Sequence, residues 1–418
     1  MSNTLDDAEF FIQRTSTLNG INFLGKVLRK IGMDPFALDA QVILKSGLRK
    51  TNNAVNLPSS AYVGLEQLIA SIQNDADLNP FGSLAFKTLL KRTVYQRLKI
   101  EQQFNLNPGL NEIAIKSPVF IIGMPRTGTT ILHALLNEDR ANRSPLSWEC
   151  LLPYPVSTPE NHRNNEQVKT VEKEFGQLFK LVPDFKKKHH MEADSPQECI
   201  GINFLDFNSF QPAAQAYIPS YMDWFMNKAD KSSTMQWHKR FLQYLSSGGV
   251  ESDRWLLKSP VHLIRLKEIF EVYPDAKIIM THRHPNKVVA SAASLISSVR
   301  SLYSDDEDPI RTGAEQAEFW SSAFNIFLEQ RKELDKENQI IDLKFDDFIQ
   351  DQMGVVEQIY QRFSWNLSDA SREAMRNFLN ANPPGKHGTH EYTLEQFGLS
   401  EEKIEKQFKS YIEFINRL

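Results

Sequence analysis

The chain has 418 residues, 41% hydrophobic and 24% charged, with a formal net charge of −4. That composition suits a globular protein long enough for one large domain or two ordinary ones, and it excludes a global attraction to nucleic acid or an anionic membrane. Its two cysteines, Cys150 and Cys199, exclude a disulfide framework and fit a reducing cytosol.

The opening stretch "MSNTLDDAEFFIQR" is acidic and polar and carries no signal-peptide pattern. No segment approaches the roughly 20 apolar residues of a membrane helix. A cytoplasmic protein without a membrane span is expected. Residues 1–115 read as a helical region: "INFLGKVLRKIGM", "LEQLIASIQNDA" and "FKTLLKRTVYQRLKIEQQF" place apolar residues at helical spacing, punctuated by prolines. Residues 116–418 read as an α/β domain. In it "VFIIG" is a short apolar run ending in glycine, suited to a buried parallel strand, and "ILHALLNED" after it is helical. Residues 155–250 interrupt the alternation with an aromatic-rich helical insertion packed over the strand ends. Three more strand–helix pairs follow: "RWLLKSP" with "VHLIRLKEIFEVYP", "AKIIMTHRHP" with "NKVVASAASLISSVRSLY", and "QIIDLKFDDF" with "FIQDQMGVVEQIYQRF". Such alternation predicts a parallel β-sheet flanked by helices, with ligands at the carboxyl ends of the strands. Ser400 suits the N-cap of the last helix, with Glu401 and Glu402 in its first turn.

The strongest chemical signal is "VFIIGMPRTGTT". A glycine-rich turn between strand and helix aims backbone N–H groups and the positive helix end at one point, where phosphate or sulfate fits. Gly123 to Thr130 reads G-x-x-x-x-G-T-T, and a nucleoside triphosphatase would carry lysine where Thr129 stands. The loop's cation is Arg126, whose planar guanidinium can fork onto two anionic oxygens. Pro125, Arg126, Thr127, Gly128, Thr129 and Thr130 are therefore candidate binding residues. Arg283, at the end of the strand "AKIIMTHR", and Ser291 on the next helix could hold a second phosphate. "NPPGKHGTHEY", with Lys386, His387 and Gly388, suits a phosphate lid. On local grounds alone, "RHP" could be an ordinary turn and the lid a bare surface loop.

Taken together these stretches resemble the sulfotransferase family that uses 3′-phosphoadenosine-5′-phosphosulfate (PAPS), in the bacterial branch that includes relatives of tyrosylprotein sulfotransferases. The resemblance rests on "GMPRTGTTILHALL", "SWECLLPYP", "SPQECIGINFL", "LLKSPVHL" and "GKHGTHEYTLEQFGL". It implies a P-loop-type α/β fold, PAPS as donor and 3′-phosphoadenosine-5′-phosphate as product. It makes "PRTGTT" the 5′-phosphosulfate loop, Arg283 and Ser291 the 3′-phosphate pair, and the segment around Lys386, His387 and Gly388 a loop closing on that phosphate. Glu391 departs from the pattern, since family members often carry a basic residue there.

In-line sulfuryl transfer needs a base for the acceptor's proton and cations for the charge that develops. Arg126 and Lys258 are the catalytic cations on this reading. The base candidates are Glu149 of "SWE", His262 one helical turn after Lys258, Glu198 of "SPQEC" and His190, with Glu149 slightly favoured. No metal is expected, because the histidines lack metal-ligand spacing. The aromatic insertion suggests a small, apolar, hydroxylated acceptor, with no nucleic-acid partner. Two competing readings are a P-loop kinase or hydrolase with an atypical loop, dependent on Mg²⁺ and ATP, and a non-catalytic nucleotide-binding protein.

Overall fold

The run Val119–Ile122 (β1) is apolar at every position, which a strand tolerates only when both of its faces are covered. In the computed structural model, which describes residues 11–183, 191–383 and 392–418, it is the middle strand of a parallel sheet. The others are Asn142–Arg143 (β2), Arg254–Lys258 (β3), Lys277–His282 (β4) and Ile340–Lys344 (β5), in the order β2-β3-β1-β4-β5. Val119 sits opposite Leu256 on one side and Lys277 on the other. Side chains alternate across the strand. Phe120 and Ile122 join the larger core, whereas Val119 and Ile121 pack with Leu132, Leu135, Leu136, Val356 and Ile359 on the opposite face. Each such side chain contributes about 1.5–3 kcal/mol by leaving water.

The helical N-terminal region holds α1 (Ser16–Lys30), α2 (Ala40–Lys50), α3 (Ser59–Asp75) and α4 (Pro80–Leu106). Thr15, Asp39 and Asn79 cap α1, α2 and α4 by accepting backbone N–H bonds. Helix α2 is absent from the sequence-based assignment. It lies close against α4, where Gly47 leaves no room for a side chain beside Val94. Leu65, Leu68, Phe86 and Leu90 of these helices share one core with Phe120 and Ile278 of the sheet.

After β1 comes α5 (Thr129–Leu136), as expected. β3 runs instead into a 3-10 segment, Pro260–Arg265, before the helix Leu266–Val272. The helix Val289–Tyr303 follows β4, and Phe345–Gln350 with Gln352–Arg362 follow β5. Residues 155–250 contain the helices Glu166–Leu181, Cys199–Phe204, Gln211–Gln215, Pro219–Asn227 and Lys231–Ser246. Most of their rings fill the core, among them Phe204, Phe207, Tyr221, Phe225, Trp237 and Phe241. Ser400 caps the helix Glu401–Gln407 by accepting from the Lys403 N–H. Among the described residues no helix is long and apolar enough to cross a membrane. All strands point the same way, so the loop after β1, Lys258 and Arg283 meet at the carboxyl end of the sheet.

Candidate active site

The loop after β1 is shaped by close backbone approach. Gly123 has φ 141°, and a Cβ there would lie 2.5 Å from Thr281 Oγ1 and 2.7 Å from the Thr281 carbonyl oxygen. Only glycine fits. Gly128, at φ 85°, forms the left-handed entry to α5. Thr127 is fully buried; its hydroxyl donates to the Met124 carbonyl at 2.7 Å and shares a hydrogen bond with Thr281 Oγ1 at 2.7 Å. It holds the loop's shape. Thr129 is also buried, while Arg126 and Thr130 are exposed.

Arg126 adopts φ 71°, a left-handed conformation that is uncommon for a residue with a side chain. Its Nε donates to Ser291 Oγ at 3.1 Å, and its carbonyl accepts from Arg283 Nη1 at 3.1 Å. The structure thus joins the first two sequence signals into one cluster. The Arg283 guanidinium lies 4.0 Å from the centre of the Phe345 ring, just past β5. Two guanidinium groups beside the N-terminus of α5 make an electropositive rim suited to anionic oxygens.

On the β3 side, Lys258 is 3% exposed and its Nζ is ion-paired with Glu198 Oε1. The same Nζ lies 3.3 Å from Thr130 Oγ1. Glu198, whose side chain is 28% exposed, occupies the N-cap position of the helix Cys199–Phe204. That segment is pinned to the stretch before Glu149: Gln197 N–H donates to the Pro145 carbonyl at 2.8 Å, and Leu146 pairs with Pro196 in a short β-bridge.

The profile described as the sulfotransferase family matches residues 118–369, a span that takes in the loop, Glu198, Lys258, Arg283 and Ser291. The chain belongs to the sulfotransferase family. It is a transferase, and its reaction is sulfuryl transfer. Similar proteins include the omega-hydroxy-beta-dihydromenaquinone-9 sulfotransferase Stf3 of Mycobacterium bovis, 23% identical over 293 residues, covering 68% of this chain and 72% of that protein. Among solved structures, sulfotransferase STF9 of Mycobacterium avium superposes with a TM-score of 0.82 at 26% identity, covering 90% of this chain and 96% of that one. Sulfotransferase STF1 of Mycobacterium tuberculosis gives 0.73 at 28% identity, covering 96% and 99%.

Two of the base candidates take other places in this sulfotransferase. Glu149 is fully buried; its Oε1 pairs with Arg143 Nη2 at 3.1 Å, its Oε2 accepts from the Leu146 N–H at 2.9 Å, and His162 stands 3.8 Å away. None of these partners belongs to the phosphate loop. His262 is fully buried, neither ring nitrogen has a hydrogen-bond partner among the described residues, and Phe120 meets it edge-on at 5.2 Å. Burial pushes its imidazole well below the ordinary histidine range. His190, Lys386, His387, Gly388 and Glu391 lie outside the described residues.

Sequence reasoning missed Phe345, although an aromatic immediately after a strand's last residue, in "IIDLKFDDF", was a usable signal. It also missed the brace behind Arg283. One residue earlier, His282 bonds Asp342 Oδ1 at 2.8 Å and the Tyr411 hydroxyl at 3.2 Å, while Arg331 reaches both Asp342 oxygens at 2.7 and 2.8 Å. Burial alone would raise the Asp342 carboxyl, but hydrogen bonds from His282 and Arg331 outweigh it and hold the group down at about 2.

Proposed function

We propose that this sulfotransferase moves the sulfuryl group of PAPS onto a hydroxyl of a small, apolar acceptor, with Glu198 as base and Lys258 and Arg126 as the catalytic cations. The observation that carries the reading is the double clustering at the carboxyl end of the sheet: Arg126, Arg283 and Ser291 on one side of the loop, Lys258, Glu198 and Thr130 on the other. A nucleotide phosphorylated at both its 3′ and 5′ ends presents two anionic groups, and the site offers two guanidinium groups joined through Ser291 and the loop backbone. Arg283 and Ser291 would hold the 3′-phosphate. Arg126, Thr130 and the start of α5 would hold the 5′ side, with Phe345 at hand for the base. The donor lacks a γ-phosphate, so the missing loop lysine is not needed.

When bound, the donor supplies the sulfuryl group and a phosphate as leaving group. The rest falls to the chain. Glu198 is the candidate carboxylate that touches Lys258, and its partial exposure opens it to an incoming hydroxyl, whose proton it takes. The Lys258 ammonium can turn from Glu198 toward the Thr130 side and meet charge growing on the sulfuryl oxygens. Glu149 and His262 do not act as the base on this reading. An apolar acceptor agrees with the menaquinone-type acceptor named for the Mycobacterium bovis relative and with the ring-rich stretch over the strand ends.

Calorimetry with 3′-phosphoadenosine-5′-phosphate, and separately with ATP and Mg²⁺, tests the donor half. Tight, magnesium-independent uptake of the first is expected. Uptake of ATP with magnesium alone would overturn the reading. Labelled PAPS offered with a panel of hydroxylated small molecules then identifies the acceptor.

A further inference from the structure

Directly behind the Lys258–Glu198 pair lies a second cluster that the transfer reaction does not use. Cys199 follows Glu198 in the chain, and His262 stands four residues after Lys258. His238, from the helix Lys231–Ser246, completes the group. All three side chains are fully buried, and their ligand atoms lie within 4.8 Å of one another. Cys199 is a free thiol. His238 Nε2 and both ring nitrogens of His262 have no hydrogen-bond partner among the described residues. Buried polar atoms are seldom left so, because each costs about 1–3 kcal/mol.

We propose that Cys199, His238 and His262 form a structural zinc site. One thiol and two imidazoles are the donor set of a borderline-soft, tetrahedral ion. Ligand atoms around tetrahedral zinc stand about 3.5 Å apart, so small side-chain rotations close the present arrangement onto an ion. His238 already has the orientation of a ligand, since its Nδ1 is engaged by the Tyr273 hydroxyl at 2.8 Å, which leaves Nε2 facing the cluster. Binding releases the thiol proton to solvent, and the thiolate offsets part of the ion's charge beside buried Arg265, which Asn208 holds at 2.9 and 3.0 Å. Asn203, one turn after Cys199 and also with an unpartnered side-chain oxygen, is the candidate for the fourth position. The ion would fasten the segment carrying Glu198 to the segment carrying Lys258. It takes no part in the chemistry, which needs no divalent ion.

The test does not use activity. Full-length protein is expressed with zinc and its metal content measured. The chelated form is then titrated with Co²⁺. About one zinc per chain is expected, together with a thiolate-to-cobalt charge-transfer band that persists in Cys150→Ser and vanishes in Cys199→Ser. Chelation should lower the Tm and zinc should restore it. Wild-type protein that holds no stoichiometric zinc and gives no such band with Co²⁺ overturns the site, and that result does not depend on any variant folding. Donor binding is measured separately, so a failure of the PAPS reading would leave the metal result standing.

Discussion

Lys258 at the end of β3 is ion-paired with Glu198, 60 residues earlier, at the start of the helix Cys199–Phe204. The ammonium is almost wholly removed from water while the carboxylate keeps an open side. The pair therefore joins a buried cation to a reachable proton acceptor.

Lys258→Ala and Glu198→Gln should each lower kcat by on the order of 10²-fold or more, as loss of transition-state charge stabilisation or of the base would. The double variant should lose much less than the product of the two, because the groups act as a unit. Steady-state kinetics on the four proteins checks this. Fully multiplicative losses would sink the coupled role.

Arg126 carries a backbone strain that its side chain makes useful. Arg126→Gly should stabilise the fold by about 1 kcal/mol, by removing a Cβ from the left-handed conformation. It should also cut kcat by on the order of 10²-fold. Arg126→Ala should show the activity loss without the gain. Urea unfolding beside kinetics separates the two effects.

Glu149→Gln discriminates between the base candidates. It leaves Arg143 buried without its counter-charge, so stability should fall by about 3 kcal/mol. The kcat of the folded enzyme should change only a few-fold. A collapsed kcat with an unchanged Tm would instead make Glu149 the base.

His133, fully buried on α5 behind the loop, sets an acid limit. Burial, with Lys258 nearby, pushes its imidazole down from 6.5 to about 3. Between those values the unfolded chain binds a proton that the folded chain refuses. Its contribution is therefore complete above pH 6.5 and is lost as pH falls toward about 3. The slope is at most about 1.4 kcal/mol per pH unit. His133→Gln should flatten that part of the stability–pH curve. An unchanged slope would show that His133 does not set it.

The sheet was legible because β1, β3, β4 and β5 are short apolar runs, each followed by a helical pattern. β2 was not: it is two polar residues, Asn142 and Arg143, that become a strand only by lying against β3. The phosphate loop was legible because its glycines and Arg126 are contiguous. Arg283 and Ser291 were legible as a motif, but their contact with Arg126 needed the fold. Glu149 drew attention by residue type and motif position, and that Arg143, six residues upstream, takes its charge needed the fold. Glu198 ranked lower, since its partner is distant in the chain. The Cys199–His238–His262 cluster was invisible for the same reason: its members come from three separate segments and have no short-range spacing.

The strand order has a consequence for how the protein is made. β1 leaves the ribosome long before either β3 or β4 exists, so a fully apolar segment waits with both edges unpaired. Nascent chains at that stage offer a sticky template to one another. Slower, cooler production, or a holding chaperone, should raise the yield of folded enzyme more than any adjustment to the mature surface.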